Sequence, residues 1–239
     1  MRNPWNAVIA EIAGTFLFFF VGIGAAGWVS RAVTQGSGMD PASALIVVAL
    51  AHGVALAVLV SAMGAISGAH FNPAVTAAVW IAGQMPGRRA AAYMIAQLIG
   101  GILAAWMLRA LYPADVFPEL GIPRLTGIDP LQGIAVEAVL TVVLLAAVFG
   151  TAIDPRAPKV GGLAIGLAVA ADILMGGPLT GAAMNPARWF GPAVVTGDYS
   201  NSYVWIVGPI IGAVIAALAY RFLFLAEADL DRTPADPTA

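Results

Sequence analysis

The sequence predicts an all-α membrane protein: six transmembrane helices and two re-entrant half-helices, arranged as an inverted repeat. Three observations predict it. Of 239 residues, 60% are hydrophobic and only 10% are charged, whereas soluble domains carry about 25% charged residues. Six stretches are long and apolar enough to span a bilayer. A short segment carrying Asn-Pro-Ala occurs twice, at corresponding places in the two halves.

A spanning helix needs about 20 mostly apolar residues. The six stretches fall at 7–29, 42–66, 90–112, 131–153, 160–177 and 203–225. The fifth is the shortest. The first resembles a signal peptide, but Glu11 near its start and the length of its apolar run predict a retained helix. Placing the N-terminus inside puts Arg2, Arg88, Arg89, Arg156, Lys159, Arg221 and Arg232 on the inner side. Arg31, Arg109 and Arg124 are then outside, and Arg188 belongs to neither loop set. The positive-inside rule therefore makes both termini cytoplasmic, with a cell (inner) membrane as the expected host. One domain is expected over 1–226, its repeats at about 5–112 and 130–225. The tail 227–239 is polar and proline-bearing and reads as disordered.

Composition also excludes. A net charge of −2 argues against nucleic acid as a partner. The absence of cysteine removes disulfides, thiolate metal sites and cysteine nucleophiles. With two histidines and few carboxylates, neither a metal nor a cofactor is expected. No nucleophile–base pair stands at catalytic spacing, so the chain does not read as an enzyme.

The repeat carries the argument further. Ser67-Gly-Ala-His-Phe-Asn72-Pro73-Ala74-Val75 is matched by Thr180-Gly-Ala-Ala-Met-Asn185-Pro186-Ala187-Arg188. Each copy follows the second span of its half, and each half opens with an intramembrane glutamate followed by threonine: Glu11 with Thr15, Glu137 with Thr141. Three spans per half give the halves opposite topology, which places a solute pathway at their interface. The apolar run after each Asn-Pro-Ala is too short to span. Asparagine suits a helix cap and proline the first turn. Asn72 and Asn185 are therefore expected to cap half-helices starting near the membrane midplane, beside protein or a watery cavity. They read as helix caps and as donors to a permeating solute, since capping and donation use different atoms.

Over about residues 5–225 the chain resembles the aquaporin, or major intrinsic protein, family, on the strength of these two motifs. The resemblance implies one pore per subunit in a homotetramer that passes water and small neutral solutes. It implies that Glu11 and Glu137 accept backbone N–H groups from the re-entrant loops, the alternative being a proton-coupling pair, as in a secondary transporter. It implies that His70 holds its loop by hydrogen bonds, against a gating or catalytic role. Arg188 stands where the first copy has Val75, so the repeat does not demand it. A charge at membrane depth is expensive and usually functional. In the family this arginine lines the outer constriction; the alternative is a structural arginine paired with a carboxylate.

Carried over from the family, the constriction falls on His52, Ile173, Ala182 and Arg188. Water-selective members have a large aromatic first and histidine second. The His–Ile–Ala–Arg set resembles the tonoplast intrinsic and ammonia-permeable aquaporins. It implies a wider hole with one apolar wall and polar contacts from His52 and Arg188, passing water, ammonia and hydrogen peroxide while excluding protons and ions. For His52 the alternative is a packed core histidine. Trp189 departs from the family, where serine follows the arginine in water channels and aspartate in glycerol facilitators, and it puts the constriction width in question. A glycerol or small-solute facilitator is the runner-up. Asp172 is expected to point sideways toward a neighbouring helix. Gly162–Gly166 and Gly208–Gly212 read as helix-crossing pairs.

Overall fold

The computed structural model describes residues 4–158 and 160–224. The predicted tail, 227–239, lies outside the described residues, as do Arg2, Lys159 and Arg232. The first half comprises α1 (Pro4–Thr34), α2 (Pro41–Ser67), the short α3 (Pro73–Ile81) and α4 (Gly87–Leu111). The second comprises α5 (Pro130–Val148, extended by a π-helical turn, Phe149–Ile153), α6 (Leu163–Thr180), the short α7 (Pro186–Thr196) and α8 (Val204–Ala219, extended by the π-helical turn Tyr220–Phe224). No strand occurs among the described residues. Six helices are long and apolar enough to cross a membrane. The fifth span sits three residues later than its apolar run predicts, because Gly161 and Gly162 form a turn before the helix.

Four helices begin with the same device, an Asx cap followed by proline. Asp40 accepts the N–H groups of Ala42 and Ser43, and Asp129 makes a reciprocal capping box with Gln132. Asn72 and Asn185 cap the two half-helices through the N–H groups of Ala74 and Ala187. The split follows the environment. Asp40 sits at the end of a loop, where its bonds to Ser43 hold its carboxyl below the usual range. A carboxylate at membrane depth costs about 2.5–3.5 kcal/mol on insertion scales, and the neutral amide caps without that cost.

The exterior inverts that of a soluble protein, and the interior holds polar groups beside its apolar core. Leu50, Val54, Val58, Ile95, Val139 and Leu167 are among many large apolar side chains exposed along the spans. Glu11, Gln97, Glu137, Asn72, Asn185 and Arg188 are buried. A continuous apolar exterior suits lipid.

The halves are joined where glycine removes the side chain. α2 crosses α6 at Gly53, Gly162 and Gly166. A Cβ at Gly53 would lie 2.6 Å from the Gly166 carbonyl oxygen, and Cβ atoms at Gly162 and Gly166 would strike the Ala57 and Gly53 carbonyls. Within the second half, Gly208 and Gly212 let α8 approach α5 in the same way, and a Cβ at Gly208 would lie 2.9 Å from the Ile134 carbonyl oxygen. Each half-helix packs on the last helix of the other half, α3 on α8 and α7 on α4, so the re-entrant segments interlock.

Candidate functional site

Each re-entrant loop hangs from one buried glutamate. Glu11 of α1 accepts the Ser67 hydroxyl at 2.6 Å and the His70 N–H at 3.0 Å on Oε1. Its Oε2 accepts the Phe71 N–H at 2.8 Å and the Gln97 amide at 2.8 Å. Glu137 of α5 accepts the Thr180 hydroxyl at 2.7 Å, the Ala183 N–H at 2.9 Å and the Met184 N–H at 2.7 Å. The two hydroxyls in turn accept from Ala69 and Ala182, at 3.0 and 3.1 Å. Tyr93 and Trp205 donate to the Ser67 and Thr180 carbonyls, at 2.8 and 3.0 Å.

These bonds hold a backbone that would not hold itself. Ala69 and Phe71 have φ of 51° and 48°, and Ala182 and Met184 have φ of 45° and 52°. A non-glycine residue in that region costs on the order of 1–3 kcal/mol and persists only where its surroundings fix it. His70 adds a ring-nitrogen contact to the Thr76 hydroxyl at 3.0 Å and packs edge-on against Tyr93.

The loops meet through the asparagines. Asn72 Nδ2 donates to the Met184 carbonyl at 2.9 Å, and Asn185 Nδ2 donates to the Phe71 carbonyl at 3.0 Å. Each Oδ1 accepts the first free N–H of its own half-helix, from Ala74 at 2.8 Å and Ala187 at 3.0 Å. An amide nitrogen carries two hydrogens, so each Nδ2 keeps one beyond its cross-loop bond. Pro73 and Pro186 occupy the first turns, where no N–H is needed.

One cavity of about 160 Å³ is lined by both asparagines and by all four constriction residues, His52, Ile173, Ala182 and Arg188. It extends past the asparagines to Val60, Ala152 and Ile153 at the other end. Arg188, in the first turn of α7, donates to the Gly121 carbonyl at 2.7 Å. Among the described residues it makes no ion pair, so the reading of a carboxylate-paired structural arginine falls. Gly121 belongs to the segment between α4 and α5, which Arg124 ties to Asp198 at 2.7 Å and to Glu119 at 3.1 Å.

His52 is buried, with Nδ1 2.8 Å from the Val48 carbonyl oxygen. That contact assigns the proton to Nδ1, leaving Nε2 buried as an acceptor without a partner among the described residues. His52 lines the cavity, with Nδ1 engaged by Val48 and Nε2 buried. Trp189 packs away from the pore, into a cluster with Ile122, Ala193, Val204 and Trp205, and its indole is edge-on to Tyr199. It leaves the constriction unfilled. Asp172 is buried on α6, one turn before Gly176, which abuts Leu140 of α5. Its Oδ2 has no hydrogen-bond partner among the described residues.

Sequence reasoning missed Gln97, Tyr93 and Trp205. Gln97 carried a signal, as a polar side chain in the middle of a span. The two aromatics carried none, because their work is done by one polar atom each.

The family profile described as major intrinsic protein matches residues 1–220. The chain belongs to the aquaporin, or major intrinsic protein, family. Similar relatives include "Aquaporin TIP4-4" of Zea mays, 44% identical over 239 residues, covering 98% of this chain and 92% of the relative. "Probable aquaporin TIP3-2" of Arabidopsis thaliana is 43% identical over 229 residues, covering 92% of this chain and 84% of the relative. The aquaglyceroporin from Plasmodium falciparum shares the fold, with a TM-score of 0.81 at 23% identity over 95% of this chain and 100% of that one. The two plant relatives are of the tonoplast intrinsic group that the constriction resembles. They lend no support to an inner cell membrane as the host. This aquaporin is an integral membrane protein of a channel family.

Proposed function

We propose that this aquaporin is a passive channel for water that also passes ammonia and hydrogen peroxide and excludes protons and ions. The observation that carries the reading is the pair of half-helix N-termini capped by Asn72 and Asn185, each cap keeping one N–H beside the shared cavity. Each terminus presents about half a positive charge. An arginine and two such termini repelling cations and protons is the general account of aquaporin-type pores. A water that accepts from both asparagines has its oxygen occupied, which breaks a proton-relaying chain of waters.

The wider solute range rests on the constriction. Ile173 and Ala182 present alkyl groups, and none of the four constriction residues is phenylalanine, tyrosine or tryptophan. Arg188 supplies the polar wall. Ammonia is near water in size, so a hole with one apolar wall passes both, while ammonium meets Arg188 and the helix termini. Glycerol is the alternative solute. The test is an internal pH dye in proteoliposomes given an ammonium gradient, beside osmotic shrinkage in glycerol. Faster alkalinisation than in empty vesicles, slowed in Ala182→Phe, supports ammonia passage. Wild type matching empty vesicles, with fast water flow, would restrict the pore to water.

The same reading makes the protein a homotetramer with a pore in each subunit and both termini cytoplasmic. Native mass spectrometry in mild detergent showing only monomers would contradict the assembly.

A further inference from the structure

The His52 imidazole owes its place to a missing side chain on α1. A Cβ at Gly22 would lie 2.5 Å from His52 Nε2 and 2.7 Å from Cγ, with Cδ2 nearer still. Real Cβ atoms do not approach that closely, so the ring occupies the space a side chain at 22 would fill. Phe18, one turn earlier on α1, packs edge-on against the same ring, with centroids 5.9 Å apart and planes at 88°. The Val48 carbonyl holds Nδ1 from the other side.

We propose that Gly22 is a specificity-determining residue of the pore: its bare backbone lets His52 lie back against α1, which widens the constriction and turns both ring nitrogens away from the solute. This rests on the channel reading above and deepens it. Ile173 and Ala182 are alkyl, so with His52 turned away the donors at the constriction come from Arg188 alone. The repeat does not impose glycine here. Counting from the paired glutamates, position 22 corresponds to Val148 in the second half, where a β-branched side chain lines the cavity.

The prediction follows from sterics. An alanine at 22 forces the imidazole forward into the lumen, because the backbone of α1 cannot retreat through its own helix. The hole narrows, and a ring nitrogen comes within reach of solute. A packed core offers the ring no other free space.

The test measures water and hydrogen peroxide flux in proteoliposomes for wild type, Gly22→Ala, His52→Ala and the double variant. Gly22→Ala should cut hydrogen peroxide flux several-fold and water flux by less. Adding Gly22→Ala to His52→Ala should change neither, since no ring remains to be displaced. A glycine needed only for helix packing would show the same loss in both backgrounds, and that result overturns the inference. Unchanged flux in a folded Gly22→Ala single variant overturns it as well. If Gly22→Ala alone fails to fold, recovery in the double variant supports the clash, and failure of both overturns it. Wild type with no water flux sinks the channel reading instead, so the two failures are distinct.

Discussion

The two re-entrant loops differ least where they build the backbone and most where they face the solute. Residue by residue, Ser67 answers to Thr180, His70 N–H to Ala183 N–H, Phe71 N–H to Met184 N–H, and Glu11 to Glu137 as acceptor. The left-handed residues recur at matching positions. Yet Val75 faces Arg188 across that symmetry, and Gln97, which adds a fourth bond to Glu11, has no counterpart on Glu137 among the described residues. The scaffold is duplicated; the selectivity is not.

The largest expected effect breaks the scaffold. Glu11→Ala strands four donors and Glu137→Ala three. Each unsatisfied buried donor costs about 1–3 kcal/mol. Both variants should lose folded protein in detergent, Glu11→Ala more severely. A thermal melt that left either unchanged would mean the loops are held by something else.

Next comes the asymmetry. Arg188→Val makes the second loop resemble the first, and among the described residues the one side-chain hydrogen bond it removes is to Gly121. It should fold, keep or raise water flux, and let an imposed pH gradient decay faster. A fully retained gradient would assign proton exclusion to the half-helix termini alone.

A smaller effect concerns the crossing of the halves. Gly166→Ala presses a methyl group onto the Gly53 carbonyl, and overpacking costs about 1–3 kcal/mol. The melting temperature should fall, with the water-to-peroxide flux ratio unchanged, because residue 166 does not line the cavity.

How much of this was legible follows the same division. The six spans, the two caps and the opposed halves could be read from apolar runs and from Asn-Pro-Ala. What could not be read lies between residues distant in sequence. Asn72 meets the carbonyl of Met184, 112 residues away, and Asn185 that of Phe71, 114 away. Arg188 meets Gly121 across 67 residues. The partners are backbone carbonyls, which carry no residue signature. The resting place of His52 was hidden likewise, since it depends on what Gly22 lacks. Trp189 raised doubt because bulk beside Arg188 suggested obstruction, and burial in the outer cluster removes it.

The smallest effect is a pH dependence outside the membrane. Bonds from Ser200, and then from Arg124, pull the Asp198 carboxyl down to about 2. A depressed carboxyl stabilises the fold above its unfolded pKa, about 3.9, and loses that contribution as pH falls through about 2. The Arg124–Asp198 tie should therefore survive unchanged from pH 7 to pH 5, with loss only below. A melting temperature that already dropped between pH 7 and pH 5 in wild type, and not in Asp198→Asn, would contradict that sign.

The central claim is a proton-tight water path at the meeting of the two caps. Its most direct test records osmotic shrinkage and an internal pH dye in the same proteoliposomes. The account predicts water flux well above empty vesicles, with a low activation energy, while an imposed pH gradient stays intact. Collapse of that gradient through the protein, or water flux no faster than in empty vesicles, would contradict it.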